Sequence, residues 1–162
     1  MIIISDTSPI TNLAAVQLLE ILHQLYGQVI IPQAVYDEIV NVGYLVPGTV
    51  EIQTSSWIKT QSVTDYQKVL ELQNDLDIGE AEAIILALEL NAELLLLDER
   101  RGRKVAKNLG IKQITGLLGV LLEAKQKGLI SKIKPVIDQL IINHNFPVSD
   151  NLYLKVIEFA DE

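Results

Sequence analysis

Four carboxylates stand where a chain of this kind could use them for chemistry: Asp6, Glu38, Glu80 and Asp98. Asp6 ends a short apolar run. Glu38 lies in VYDEIV, Glu80 near the start of DIGEAEAIILALEL, and Asp98 directly after the unbroken run Leu94 to Leu97. There is no cysteine, and His23 and His144 are the only imidazoles, too few for a histidine-rich zinc site. An oxygen-only donor set suits hard cations, Mg²⁺ or Mn²⁺. Carboxylates gathered in one place repel each other unless a cation or a proton neutralises them. A divalent ion would resolve that repulsion and could activate water for attack on phosphorus. Each acid also has a plain structural reading. Asp6 could open the turn before a helix, and Glu38 could be a solvated helix charge. Asp77-Ile78-Gly79-Glu80 fits a capping box, and Asp98 could cap the helix that follows it.

The elements that must position these acids follow from periodicity and punctuation. Ile2 to Ile4 reads as a strand. Ser8-Pro9 then starts a helix running to about Leu25, with Leu13, Val16, Leu19, Leu22 and Leu25 inward. Val29 to Ile31 is a second strand, Gln33 to Val40 a short helix, and Gly43 to Gly48 a loop. Trp57 to Val63 reads as an edge or partly exposed strand, and Thr64 as the cap of a helix from Asp65 to about Leu76. A helix from Asp77 to Asn91 carries Ile84, Ile85 and Leu88 at the spacing of one face. Leu94 to Leu97 suits a strand covered on both sides. A cationic helix with Arg100, Arg101, Arg103, Lys104 and Lys107 comes next. Lys112 to Thr115 is a last strand, and Gly116 to Lys127, Ser131 to Ile142 and Ser149 to Phe159 are helices. Strands alternating with helices predict a three-layer α/β/α domain around a parallel sheet of four or five strands. Right-handed crossovers would put Asp6 and Asp98 on one edge of it, and ligands of open α/β sheets bind outside the strand carboxyl ends.

Composition bounds the partners. The chain has 162 residues, 49% of them apolar, and mean hydropathy is positive, so a single domain with a proper core is expected. No apolar run reaches the length of a bilayer span, and MIIISDTSP lacks the basic start of a secretory signal. A cytoplasmic protein without membrane attachment is the expectation. The net charge of −8 argues against broad nucleic-acid coating. The charges are nevertheless segregated. The first 58 residues hold no Lys or Arg, whereas residues 100 to 134 hold ten of the thirteen, with Glu123 the only acid among them. That division fits a metal site beside a phosphate-binding surface; the plain alternative is a solvated basic helix.

In this order the motifs resemble those of PIN-domain proteins. The first PIN motif is a short apolar strand ending in Asp followed by Thr or Ser, here IIISDTSP with Asp6. VYDEIV supplies Glu38, EAEAIILALEL supplies Glu80, and LLLLDE supplies Asp98. The likeness covers residues 1 to 115. The segment 116–162 is similar to the helical extension of a prokaryotic subfamily, and would pack on the core as part of a single domain. The chain departs from the pattern in three places: Glu80 replaces a common Asp, Leu96 a common Thr, and Arg100 a common Asp, with Glu99 adjacent.

The resemblance implies a Mg²⁺- or Mn²⁺-dependent endoribonuclease, in many VapC-like relatives the toxin of a type II toxin–antitoxin pair. It implies that Asp6, Glu80 and Asp98 hold the metal and that Glu38 holds a second ion or orients water. Ser8 and Glu99 would support these ligands from behind. Arg100, Arg101, Arg103 and Lys104 would meet RNA phosphates, and the partners would be RNA, a cognate antitoxin protein and a second copy of the chain. The competing reading is a catalytically silent PIN-like module that docks a partner protein. A phosphohydrolase with an Asp nucleophile would want Asp-x-Asp after the first strand, where this chain has Ser8.

Overall fold

Ile3 and Ile4 are adjacent in the first strand yet enter different cores, because successive side chains of a strand point to opposite faces. The same alternation sends Leu96 to one side and Leu95 and Leu97 to the other. The computed structural model describes residues 1–162. Its five strands are β1 (Ile3–Ser5), β2 (Val29–Pro32), β3 (Ile58–Gln61), β4 (Leu94–Leu96) and β5 (Ile114–Thr115). They form one sheet in the order β3-β2-β1-β4-β5, and every neighbouring pair is parallel. The fold is therefore α/β with helices on both faces of a five-stranded parallel sheet.

One face is covered by α1 (Thr7–Ala15), α2 (Glu20–Tyr26), α3 (Gln33–Val40), α4 (Thr49–Thr54), α8 (Leu117–Gln126), α9 (Lys134–His144) and α10 (Asp150–Phe159). The other is covered by α5 (Tyr66–Leu72), α6 (Ile78–Glu89) and α7 (Arg100–Asn108). On α8 the inward residues are Leu117, Val120, Leu121 and Ala124, the stripe its spacing predicts. They join the core of Ile3, Ile31 and Leu96. Glu162 ties the last helices together: it pairs with Lys125 at 2.8 Å and accepts the Ile133 and Lys134 N–H groups at the start of α9. No helix is long and apolar enough to cross a membrane.

Several boundaries differ from the sequence reading. The long first helix is broken into α1 and α2: Gln17 takes a left-handed φ of 62° and the Leu18 N–H bonds back to the Leu13 carbonyl. The break keeps both Val16 and Leu19 buried. Helix α4 follows the expected loop Gly43 to Gly48, on residues to which the sequence reading assigns no element. Asp65, not Thr64, caps α5, accepting the Lys68 N–H, while Thr64 donates to Glu89. Helix α5 stops at Leu72, and α9 starts three residues late, at Lys134. On α6 the single-face reading fails at Leu88, which is 37% exposed. Gly79 to Ala87 are all buried, because α3, α5 and the sheet enclose this helix on most sides.

Candidate active site

The sheet order creates the site. From β1 the chain steps outward to β2 and β3, then returns to place β4 against β1's other side. At such a switch point the connections diverge and leave a crevice above the strand ends. Asp6 follows β1 and Asp98 follows β4, and the Asp6 N–H donates to the Leu96 carbonyl at 3.0 Å, so the two acids emerge side by side. Helix α6 delivers Glu80 in its first turn, where Asp77 caps the helix by accepting the Glu80 N–H at 2.8 Å. Half of the expected capping box is thus present. The Glu80 carboxyl does not complete it.

Helix α3 carries Glu38, and its attachment is indirect. Its cap position is Pro32, which has no side-chain acceptor. The buried Glu82 of α6 supplies one instead, accepting the Ala34 N–H at 3.0 Å. This satisfies one of the otherwise unpaired donors of a helix start and fixes α3 against α6.

The acids line one cleft of about 1340 Å³ with Asp6, Glu38, Asp77, Glu80, Asp98 and Glu99 on its wall, and with Arg100 and Arg103 beside them. Thr7 donates its hydroxyl to Glu38. Ser8 donates to Asp98 Oδ2 at 2.9 Å, and the Leu117 N–H donates to Asp98 Oδ1 at 2.7 Å. Asp98 does cap a helix, but the helix is α8 rather than α7. Three of the carboxylates lie against glycines. A Cβ on Gly79 would stand 2.6 Å from Glu38 Oε1, one on Gly102 2.6 Å from Glu80 Oε2, and one on Gly116 2.7 Å from Asp98 Oδ1.

The site favours neutral acids when no cation is present. Burial raises the Asp6 carboxyl to about 7, against partial relief from the Thr7 N–H, and Asp77, Glu38 and Asp98 push it the same way. Burial, then the adjacent Asp77, raises Glu80 too. Glu38 and Asp98 are also raised, by burial above all, although their hydrogen bonds to Thr7, Leu117 and Ser8 oppose the shift. Glu80 Oε2 is buried and has no hydrogen-bond partner. Such an atom is costly to leave unpaired.

A hard cation fits this donor set. All the donors are oxygens, one buried oxygen is orphaned, and glycines leave the carboxylates room that a Cβ would fill. The acids share the cleft without forming a preassembled set of three ligands. The expected cations divide. Arg100 and Arg103 face the cleft, while Arg101 reaches the Asp75 carbonyl at 3.4 Å and Lys104 is exposed outside the cleft lining. None of the four is in an ion pair. Sequence reasoning saw Asp77 only as a cap, yet it lies in the cleft and acts electrostatically on Asp6 and Glu80. It assigned Glu82 no role. The one signal available for Glu82 was a charged residue amid Ala and Ile on a helix bound for the interior.

A family model, DUF3368, described as a PIN domain, matches residues 2–162. No curated protein and no solved structure matches the chain.

Proposed function

The chain belongs to the DUF3368 family of PIN domains, and on that premise we propose that it is a Mg²⁺- or Mn²⁺-dependent endoribonuclease, the toxin of a type II toxin–antitoxin pair. PIN domains are generally nucleases. One observation carries the finer reading: Asp6, Glu80 and Asp98 line a single cleft at the sheet's switch point, with Glu80 Oε2 buried and unpartnered there. These three acids would hold the ion, and Glu38 would hold a second ion or orient the attacking water. The ion, when bound, supplies charge stabilisation at phosphorus and a more acidic water.

The chain's own groups do the rest. Ser8 and the Leu117 N–H hold Asp98 in place, and Thr7 holds Glu38. Orientation of this kind tunes a ligand's basicity and position. Glu99 is exposed on the cleft wall and makes no hydrogen bond to the three acids, so it does not brace them as the sequence reading expects. Arg100 and Arg103 bind phosphate oxygens and so position RNA without reading its sequence. In this role the protein acts in the cytoplasm as a homodimer, held in check by a cognate antitoxin protein.

The test is cleavage of a mixed RNA pool by purified protein with Mg²⁺ or Mn²⁺. Cleavage that stops in EDTA and is lost in Asp6→Asn supports the reading. Cleavage that persists in EDTA contradicts it. A protein inert on tRNA, rRNA and mRNA pools alike would leave the silent docking module as the better account.

A further inference from the structure

The same cleft has a second stretch of wall of different character. It is built from the last third of the chain: Leu118 and Leu122 of α8, Phe146 and Val148 of the link after α9, and Leu152 of α10. Leu118 and Leu122 are four apart and so share a helix face. Leu152 is 43% exposed, and none of these five side chains is charged. The one cleft therefore offers carboxylates for a cation, two arginines without ion-pair partners, and an apolar surface. Its volume of about 1340 Å³ exceeds the roughly 300–1,000 Å³ of small-molecule pockets. That size points to a segment of polymer rather than one compact ligand.

A nucleotide is the repeat unit that carries both a phosphate and a flat, weakly polar face. Laying the face of a base on an apolar surface removes both from water and does not depend on which base it is. In a helix that face is covered by neighbouring bases, so only an unpaired base can present it. We propose that this wall is a base-binding subsite, seating an unpaired nucleobase next to the phosphate held at Arg100 and Arg103. The proposal rests on the ribonuclease reading above and adds to it the place where a base would sit.

The experiment compares a fluorescein-labelled oligouridylate with the same oligomer carrying abasic riboses. Binding is read by stopped-flow anisotropy in Mn²⁺, before cleavage begins. Wild type should bind the base-bearing oligomer on the order of tenfold more tightly, the effect of burying one base face against apolar side chains. Leu152→Asp should erase that ratio, and Leu152→Met should keep it. Equal affinity of wild type for the two oligomers would overturn the subsite while leaving the ribonuclease reading intact. A preference that survives in both Leu152→Asp and Leu122→Asp would also overturn it, by showing that the bases sit elsewhere. Wild type that binds neither oligomer would overturn the RNA reading and the subsite with it.

Discussion

Glu80 Oε2 lies 2.6 Å from the point where a Cβ would stand on Gly102. The first turn of α7 is thus shaped around a carboxylate of α6. Gly102 is helical and buried, where alanine would ordinarily stabilise by about 1 kcal/mol. The obstacles are the ends of two flexible side chains, Glu80 and Leu97, which can turn aside at small cost. Gly102→Ala should therefore fold with stability within roughly 1 kcal/mol of wild type, and lose most metal-dependent cleavage because Glu80 is displaced. Functional sites commonly trade stability in this way. Melting curves and cleavage rates measured on one preparation check it. An active Gly102→Ala would detach Glu80 from the chemistry.

The pH dependence of stability should have two opposed limbs. Asp6 is raised from 3.8 to about 7 in the folded chain, so between those values the folded state binds more protons than the unfolded. Stability in EDTA must then fall as pH rises through that window. Glu162 acts in the other sense. Burial pushes it up, but Lys125 and the Ile133 and Lys134 N–H groups outweigh this and bring it to about 2. Its stabilisation is present above the ordinary value of 4.5 and is lost as pH falls toward 2. The maximum should lie at about pH 4 to 5, and Mn²⁺ should flatten the upper limb by favouring the ionised acids. Urea melts from about pH 3 to 8 measure this. Stability in EDTA that climbs steadily from pH 5 to 8 would contradict the electrostatic description of the cleft.

Asp98 carries two roles that substitutions can separate. It accepts the Leu117 N–H that begins α8, and it faces the cleft. Asp98→Asn keeps an acceptor for Leu117, since Asn caps as well as Asp. Its melting in EDTA should move little, while its stabilisation by Mn²⁺ should largely vanish. Asp98→Ala should lose both, with a further cost of about 1 kcal/mol for the missing cap. A normal Mn²⁺ shift in Asp98→Asn would remove Asp98 from the metal set.

The basic helix should be asymmetric in function. Arg100 and Arg103 face the cleft, whereas Arg101 turns to the Asp75 carbonyl. Charge reversal at Arg100 and Arg103 should weaken RNA binding across sequences and reduce its salt slope by roughly one to two units. Reversal at Arg101 and Lys104 should change the slope by less. The opposite ranking in salt titrations would place RNA on the outer face of α7.

The strands, the parallel sheet and the acids at its edge were legible because they are local. An apolar run ending in Asp signals a buried strand and its exit, and Asp6 and Asp98 each show it. Three things were hidden because they depend on tertiary partners. Nothing near Leu117 shows that its N–H will find Asp98, which lies nineteen residues earlier. Glu82 reads as a helix charge until α3 is docked against it. The break at Gln17 falls inside an apolar period that continues across it, so the pattern alone favours one long helix. Helix α4 was missed for the opposite reason: at six residues it is too short for periodicity to declare.

Diffraction from a crystal soaked in Mn²⁺, recorded for the anomalous signal of the ion, tests the central claim most directly. The account predicts a peak in the cleft within coordination distance, roughly 2 Å, of carboxylate oxygens from Asp6, Glu80 and Asp98, absent from crystals of Asp6→Asn soaked in the same way. A wild-type crystal with no peak there at saturating Mn²⁺, or with one only on surface acids away from β1 and β4, would contradict it.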